Sequence, residues 1–201
     1  MNINTAIKIA EKWRYKYSLQ TVLKDFVLGW AYSLTNLHKP YISYENDDDF
    51  IRVSKELSTE LGQLMENGYS DPLGDLFAHF GVNKEQNFYN TPKQISSLMT
   101  AVIGIDSNTL TDHMDSCSGT GSITMSNIEK LVVESTISDK NFYLEELCPV
   151  NCAASMIQIS FKIAHLTTVY GTDKCPKSVY IANINVLSRK SLSQHYVLKR
   201  T

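Results

Sequence analysis

One stretch, LTDHMDSCSGTGSI from Leu110 to Ile123, constrains the fold more than any other in the chain. Leu110, His113 and Met114 lead into Asp115, and almost nothing bulky follows between Ser116 and Ser122. Gly119 and Gly121 stand where a backbone turns tightly and lets another group come close. The pattern reads as a short strand, a small-residue turn and a helix start. A strand that ends in such a turn at a helix N-terminus makes a nucleotide-sized site. A plain strand–turn–helix connection uses the same residues, so the neighbouring sequence has to separate the two readings.

Downstream, strand-like and helix-like stretches alternate. Leu110–Asp115 is followed by a helical pattern over Ile123–Val133. Phe142–Leu147 is then followed by another over Asn151–Leu166, and Val179–Leu187 reads as a third strand. Strands alternating with helices predict an α/β fold with a parallel sheet. Upstream the chain reads as helical. Ile7, Ala10, Trp13 and Tyr17 recur at helical spacing, as do Val22, Phe26, Val27, Trp30, Ala31 and Leu34 up to His38-Lys39-Pro40. A third helix carries Phe50, Ile51, Val53, Leu57, Leu61 and Leu64, with Asn46 to Asp49 as its cap. Asp71-Pro72 opens a fourth, which Gly81 ends. Thr91-Pro92 starts a fifth, whose apolar face is Ile95, Leu98, Met99, Val102 and Ile103. The expected organisation is a helical region over 1–69 and a Rossmann-like domain over 70–201.

The bulk properties exclude little but are consistent with one another. With 201 residues, 43% hydrophobic and 20% charged, the chain suits one sizeable globular domain. A formal net charge of -2 gives no global basic field, so any DNA contact needs a local patch or a partner. No apolar run approaches the ~20 residues that span a bilayer, and the polar start MNINTAIKIAEKWRYKYS is unlike a signal peptide. No membrane association and a cytoplasmic location are expected. The four cysteines, Cys117, Cys148, Cys152 and Cys175, do not match metal-ligand spacings and are expected to be reduced. The basic end, with Arg189, Lys190, Lys199 and Arg200, reads as a solvated terminus.

Three features line up with the glycine turn. Glu145 and Glu146 end the second strand, where a carboxylate hydrogen-bonds ribose hydroxyls in nucleoside-binding sheets; one of the two is expected to be merely solvated. Phe88-Tyr89-Asn90-Thr91-Pro92 puts aromatics and a hydroxyl before a helix, suited to covering an adenosine-like ligand or to stapling the helix start. Asn185 ends the third strand, where its amide either reads an adenine edge or caps a turn.

Taken together, these residues resemble the N-6 adenine DNA methyltransferases of the type I restriction-modification kind and their phage and plasmid relatives. Asp71, Leu73, Gly74, Asp75 and Phe77 match the family's D-x-LG-x-x-[YF] helix. Gln86, Phe88, Tyr89, Thr91 and Pro92 match its GQFFTP signature, and Asp115, Gly119, Thr120 and Gly121 its D-P-x-x-G-[ST]-G turn. Glu146, Leu147 and Pro149 match E-I-[DN]-P. The resemblance covers about residues 70 to 188 and implies a Rossmann-like methyltransferase core with an S-adenosylmethionine site. Asp115, Ser116, Cys117, Gly119, Thr120 and Gly121 would wrap the methionine end. Phe88 or Tyr89, with Thr91 and Pro92, would close over the cofactor. Glu146 and Leu147 would hold the ribose end, and Asn185 would sit by the adenine.

The chain departs from the family in several places. Ser116 replaces the turn's usual Pro and Cys148 the usual Asp or Asn, and Asn87 and Asn90 disturb the FTP spacing. No NPPY or DPPY acceptor motif occurs anywhere. Two functions therefore stand. One is a DNA adenine-N6 methyltransferase that relies on a noncanonical acceptor site or on a methyltransferase or restriction-modification subunit. The other is a catalytically inactive homologue acting as an accessory subunit, anti-restriction factor or regulator. The location would be the host cytoplasm for a phage-encoded chain.

Overall fold

The computed structural model describes residues 2–82, 91–103, 110–171 and 173–200. Four helices come first: α1 (Asn4–Glu11), α2 (Leu19–Thr35), α3 (Asp48–Glu66) and α4 (Pro72–Phe80). Their ends follow local chemistry. Asp47 accepts the Asp49 N–H at the start of α3, and Asp71 accepts the Gly74 N–H at the start of α4. Gly81 closes α4 in the left-handed conformation, φ 65°. Trp13 is buried between Phe26 and Phe50, each with its ring centroid 5.8 Å away, and this aromatic cluster joins α1, α2 and α3.

The second half contains α5 (Lys93–Ile103), β1 (Asp112–Ser116), α6 (Ser122–Val133), β2 (Asn141–Glu146), α7 (Pro149–Tyr170), β3 (Ser178–Asn185) and β4 (Lys190–Lys199). The fold is mixed α/β, with seven helices and a four-stranded sheet of order β1-β2-β3-β4 among the described residues. β1, β2 and β3 are parallel, as the alternating pattern predicts. β4 is antiparallel to β3, so the expected all-parallel sheet is in fact mixed. The segment read as a solvated basic terminus is this fourth strand. Its own alternation is weak because only Tyr196 is buried, so periodicity alone does not reveal it.

The order of the parallel strands decides where the helices go. Right-handed crossovers that step in one direction across a sheet put every connecting helix on the same face. Phe142 and Leu144 of β2 and Val179 and Ile181 of β3 share the face that α7 covers and are buried. On the other face Met114, Tyr143 and Val197 are exposed, and Tyr143 stacks on Tyr180 at 5.1 Å. α7 lies between the sheet and the first four helices, touching β2, β3 and β4 on one side and α2, α3 and α4 on the other. Every residue from Val150 to Ile159 is accordingly buried.

α5 reverses the expectation drawn from its apolar stripe. Ile95, Leu98, Met99 and Val102 are exposed, whereas Ser96 and Thr100 are buried. Ser96 Oγ lies 2.8 Å from Ser122 Oγ at the start of α6. α6 offers α5 hydroxyls and small side chains there, so the polar side of α5 makes the contact.

Asp47 gives the fold a pH signature. Lys16 Nζ lies 2.7 Å from its carboxylate, and this hydrogen bond holds the Asp47 pKa down to about 2. A depressed folded pKa means that the stabilising contribution is present at neutral pH. It is lost as pH falls from the ordinary carboxylate range, about 4, through about 2. In urea unfolding, Asp47→Ala should therefore flatten the decline of stability over that window; an unchanged slope would mean that the pairing with Lys16 does not hold in solution.

Candidate functional site

The glycine turn sits at the carboxyl ends of β1 and β2 and is held there by the backbone. Cys117 and Ser118 both donate their N–H groups to the Glu145 carbonyl, at 2.7 and 3.1 Å. This carries the β1–β2 pairing past the end of β1 and bends the chain. Cys117 takes φ 71°, a left-handed conformation that is unfavourable for a residue with a Cβ by roughly 1–2 kcal/mol. Gly121, φ 89°, then caps α6, and a Cβ on it would lie 3.4 Å from both Ile159 Cδ1 and Ser155 Oγ. That distance is ordinary contact, so it is the positive φ that calls for glycine at this position.

Glu146 binds the turn to the next helix. Its Oε2 accepts the Gly119 N–H at 2.9 Å, and its Oε1 accepts the Cys148 N–H at 2.8 Å, where α7 begins. Asn183, buried in β3, donates to the carbonyls of Glu146 and Leu147 at 3.0 and 2.8 Å and fixes the end of β2. Glu145 lies on the opposite face of the sheet. It makes a bidentate pair with Arg189, both contacts 2.8 Å, and so is not solvated as expected. Arg189 likewise belongs to this pair rather than to a free basic terminus.

Behind the turn is a buried polar node. Asp71, at the start of α4, accepts from Gly74 N–H, Gln158 Nε2 and Thr120 Oγ1 at 2.9, 2.8 and 2.9 Å. Gln158 Nε2 also donates to the Thr120 carbonyl, and Gln158 Oε1 accepts the Leu73 N–H. Burial pushes the Asp71 carboxyl above its ordinary pKa, against the opposing pull of its donors. Ser155 Oγ donates to the Gly119 carbonyl at 2.8 Å. Beside the turn, Asp115 accepts from Thr124 Oγ1 at 2.7 Å, and its pKa too is raised by burial.

The structure brings Asp115, Cys117, Gly119, Thr120, Gly121 and Glu146 into one cluster. Ser116 ends β1 and is exposed, as is Leu147. Thr91 and Pro92 lead into α5, whose Ser96 reaches Ser122 next to the turn. Phe88 and Tyr89 lie outside the described residues. Asn185 accepts the N–H groups of Leu187 and Ser188 at 3.1 and 3.0 Å, the turn-capping arrangement. The amide at the end of β3 that meets the cluster is Asn183. Burial pushes the thiols of Cys148 and Cys152 up, away from reactive thiolate behaviour. Among the described residues no group of three or more His, Cys, Asp or Glu side chains is placed to hold a metal ion, and no helix is long and apolar enough to cross a membrane.

Gln158 and Ser155 are the residues that reading the sequence for motifs passes over. A signal was present: Asn151, Ser155, Gln158 and Lys162 recur at four-, three- and four-residue spacing in a largely apolar stretch of α7. All four are buried. Buried polar groups need partners, so this stripe marks where the buried side of α7 meets other backbone ends.

Compared with known protein families, curated proteins and solved structures, the chain returns no match.

The Asp71 node predicts its own energetics. An ordinary helix N-cap loses about 1 kcal/mol on mutation to Ala. Asp71→Ala also strands Gln158 and Thr120, at about 1–3 kcal/mol for each buried donor left unpaired. Urea denaturation should show a loss well above that of a simple cap, and a loss no larger than about 1 kcal/mol would mean that these donors find other partners.

Proposed function

We propose that this chain is an S-adenosylmethionine-binding protein of the DNA adenine methyltransferase type, built on a Rossmann-like core. The observation that carries the reading is the bond from Gly119 N–H to Glu146 Oε2. It joins the glycine turn after one parallel strand to a carboxylate at the end of the next, the pairing of groups that nucleoside sites use. A carboxylate offers about four acceptor positions. Two at Glu146 are taken by backbone N–H groups, and the capacity that remains matches the two hydroxyls of a ribose. Ser118 Oγ, inside the turn, is buried without a hydrogen-bond partner and suits a polar ligand atom. The cofactor, when bound, supplies an electrophilic methyl group. The chain's own part is to orient it through the turn, Glu146 and the Asp71 node behind them.

One observation favours binding over self-sufficient catalysis. After Asn185 the chain turns back into β4, antiparallel to β3, and that strand carries no [ND]-PP-[YF] motif to receive a base. An accessory or regulatory role beside a methyltransferase or restriction-modification subunit, with DNA as the shared target, fits this arrangement.

Calorimetry tests the cofactor reading. S-adenosylmethionine and its demethylated product should each bind one to one. Glu146→Gln should weaken both by about tenfold or more, the usual loss for a hydrogen bond to a charged group, while circular dichroism shows the fold retained. Absence of heat at millimolar ligand would overturn the proposal. The chain alone should transfer no labelled methyl group to duplex DNA, and incorporation would restore the reading as a complete enzyme.

A further inference from the structure

Between α2 and α3 lies a cleft of about 420 Å³. Small-molecule sites run from about 300 to 1,000 Å³. Both helices pack on α1 and on α7, and each turns one face to the cleft. Phe26, Gly29, Trp30 and Ser33 of α2 stand at positions i, i+3, i+4 and i+7, and Ile51, Ser54, Lys55 and Ser58 of α3 repeat that spacing. The connection between the two helices supplies a third wall, with Lys39, Ile42 and Glu45. Gly29 is unfavourable inside a helix, but a Cβ there would lie 3.3 Å from Ile42 Cδ1, tighter than ordinary contact. The glycine lets this connection lie close on α2.

The lining is apolar within and polar at the rim. Phe26 and Phe50 are buried, both against Trp13, and Trp30 has its ring centroid 5.6 Å from that of Phe26. Of the exposed lining residues, Ser33, Lys39, Glu45 and Lys55 are polar and Ile51 alone is apolar. A protein partner needs about 800 Å² of surface on each side. Here the apolar surface stops at a polar rim, the anatomy of a site for a small molecule.

The charges on the rim define the ligand. Lys39 and Lys55 stand against one carboxylate, Glu45. None of the three has an ion pair among the described residues. Two ammonium groups above aromatic walls fit a ligand with an apolar body and a single anionic end. A cationic end would meet the excess of positive charge, and a neutral one would leave both lysines without a partner.

We propose that this cleft binds a small apolar monocarboxylate, its aryl or alkyl body against Phe26, Trp30 and Phe50 and its carboxylate at Lys39 and Lys55. The cleft shares no lining residue with the glycine turn or Glu146, so the assignment is independent of the cofactor reading. The probes are 3-phenylpropanoate and the corresponding alcohol and amine, added to the full chain. Binding is read by calorimetry and by tryptophan fluorescence. The chain has 2 tryptophans, and only Trp30 lines the cleft. The acid should bind one to one and change the fluorescence. The alcohol should bind about three- to fivefold more weakly, the return of an exposed ion pair, and the amine more weakly still. Replacing both lysines, Lys39→Gln with Lys55→Gln, should bring the acid down to the alcohol and leave the melting temperature unchanged. Ser58→Phe, which fills the cleft, should abolish binding of both. Trp30→Phe should keep the heat of binding and lose the fluorescence change. The proposal is overturned by no binding of the acid at millimolar concentration, by an amine that binds as well as the acid, or by a preference for the acid that survives loss of both lysines. A fluorescence change that survives Trp30→Phe also overturns it. If Ser58→Phe does not fold, the lysine variant and Trp30→Phe still decide. Displacement of the acid by S-adenosylmethionine, with the lysine variant having no effect, places the acid in the cofactor's site and overturns this proposal. Acid binding that depends on the lysines in a chain that takes no S-adenosylmethionine supports this cleft and overturns the cofactor proposal alone.

Discussion

The hydrogen bonds around the Asp71 carboxylate hold together parts of the chain that are far apart in sequence. One side chain caps α4, receives Gln158 from the middle of α7 and receives Thr120 from the glycine turn. A buried carboxylate is tolerated only where donors surround it. Here every donor comes from a different element, so the burial of Asp71 requires α4, α7 and the turn to be in register at once. The same constraint positions the site, because Gln158 and Ser155 on α7 hold the carbonyls of Thr120 and Gly119. The N-terminal helices thus belong to the support of the turn, and one continuous set of buried side chains runs from Ala6 to Tyr196.

The second constraint is the direction of the sheet. In doubly wound folds the strand order reverses, helices cover both faces, and ligands bind at the crevice where the reversal occurs. In the described residues the order β1-β2-β3 runs one way and β4 folds back as an antiparallel edge. All crossovers therefore lie on one face, and β1, with the glycine turn at its end, is an edge strand. A cleft of about 340 Å³ along β1 adjoins the turn, and Asp115, which accepts from Thr124, is part of its lining. The open face keeps a stacked tyrosine pair and the Glu145–Arg189 ion pair, polar and aromatic groups that tolerate water.

Much of this was legible in the residues. The helices announced themselves by spacing and by caps: Asp47 and Asp71 before, Gly81 after. Glycines, small residues and a following apolar helix marked the turn, and Glu146 fell at the end of its strand because Phe142, Tyr143 and Leu144 precede a Pro-initiated helix. What failed did so for physical reasons. The apolar stripe of α5 predicts a buried face, but Ser96 turns inward to meet Ser122 of α6, and Thr100, one turn on, is buried with it. β4 escaped notice because Tyr196 is its one fully buried residue, so this edge strand carries little apolar alternation. Asn185 and Asn183 are two residues apart and share a face of β3. Only the hydrogen bonds distinguish the one that caps its own turn from the one that pins β2.

The sequence by itself determined the helices, the three parallel strands, the place of the glycine turn and the carboxylate that faces it, because propensity, capping and backbone conformation are local properties. Which polar side chains meet was decided only by the tertiary structure. The Asp71–Gln158–Thr120 node, the Glu145–Arg189 pair and the Asn127–His113 contact depend on where helices cross and which face of the sheet they cover, and those follow from the direction of the strand order rather than from any stretch of residues.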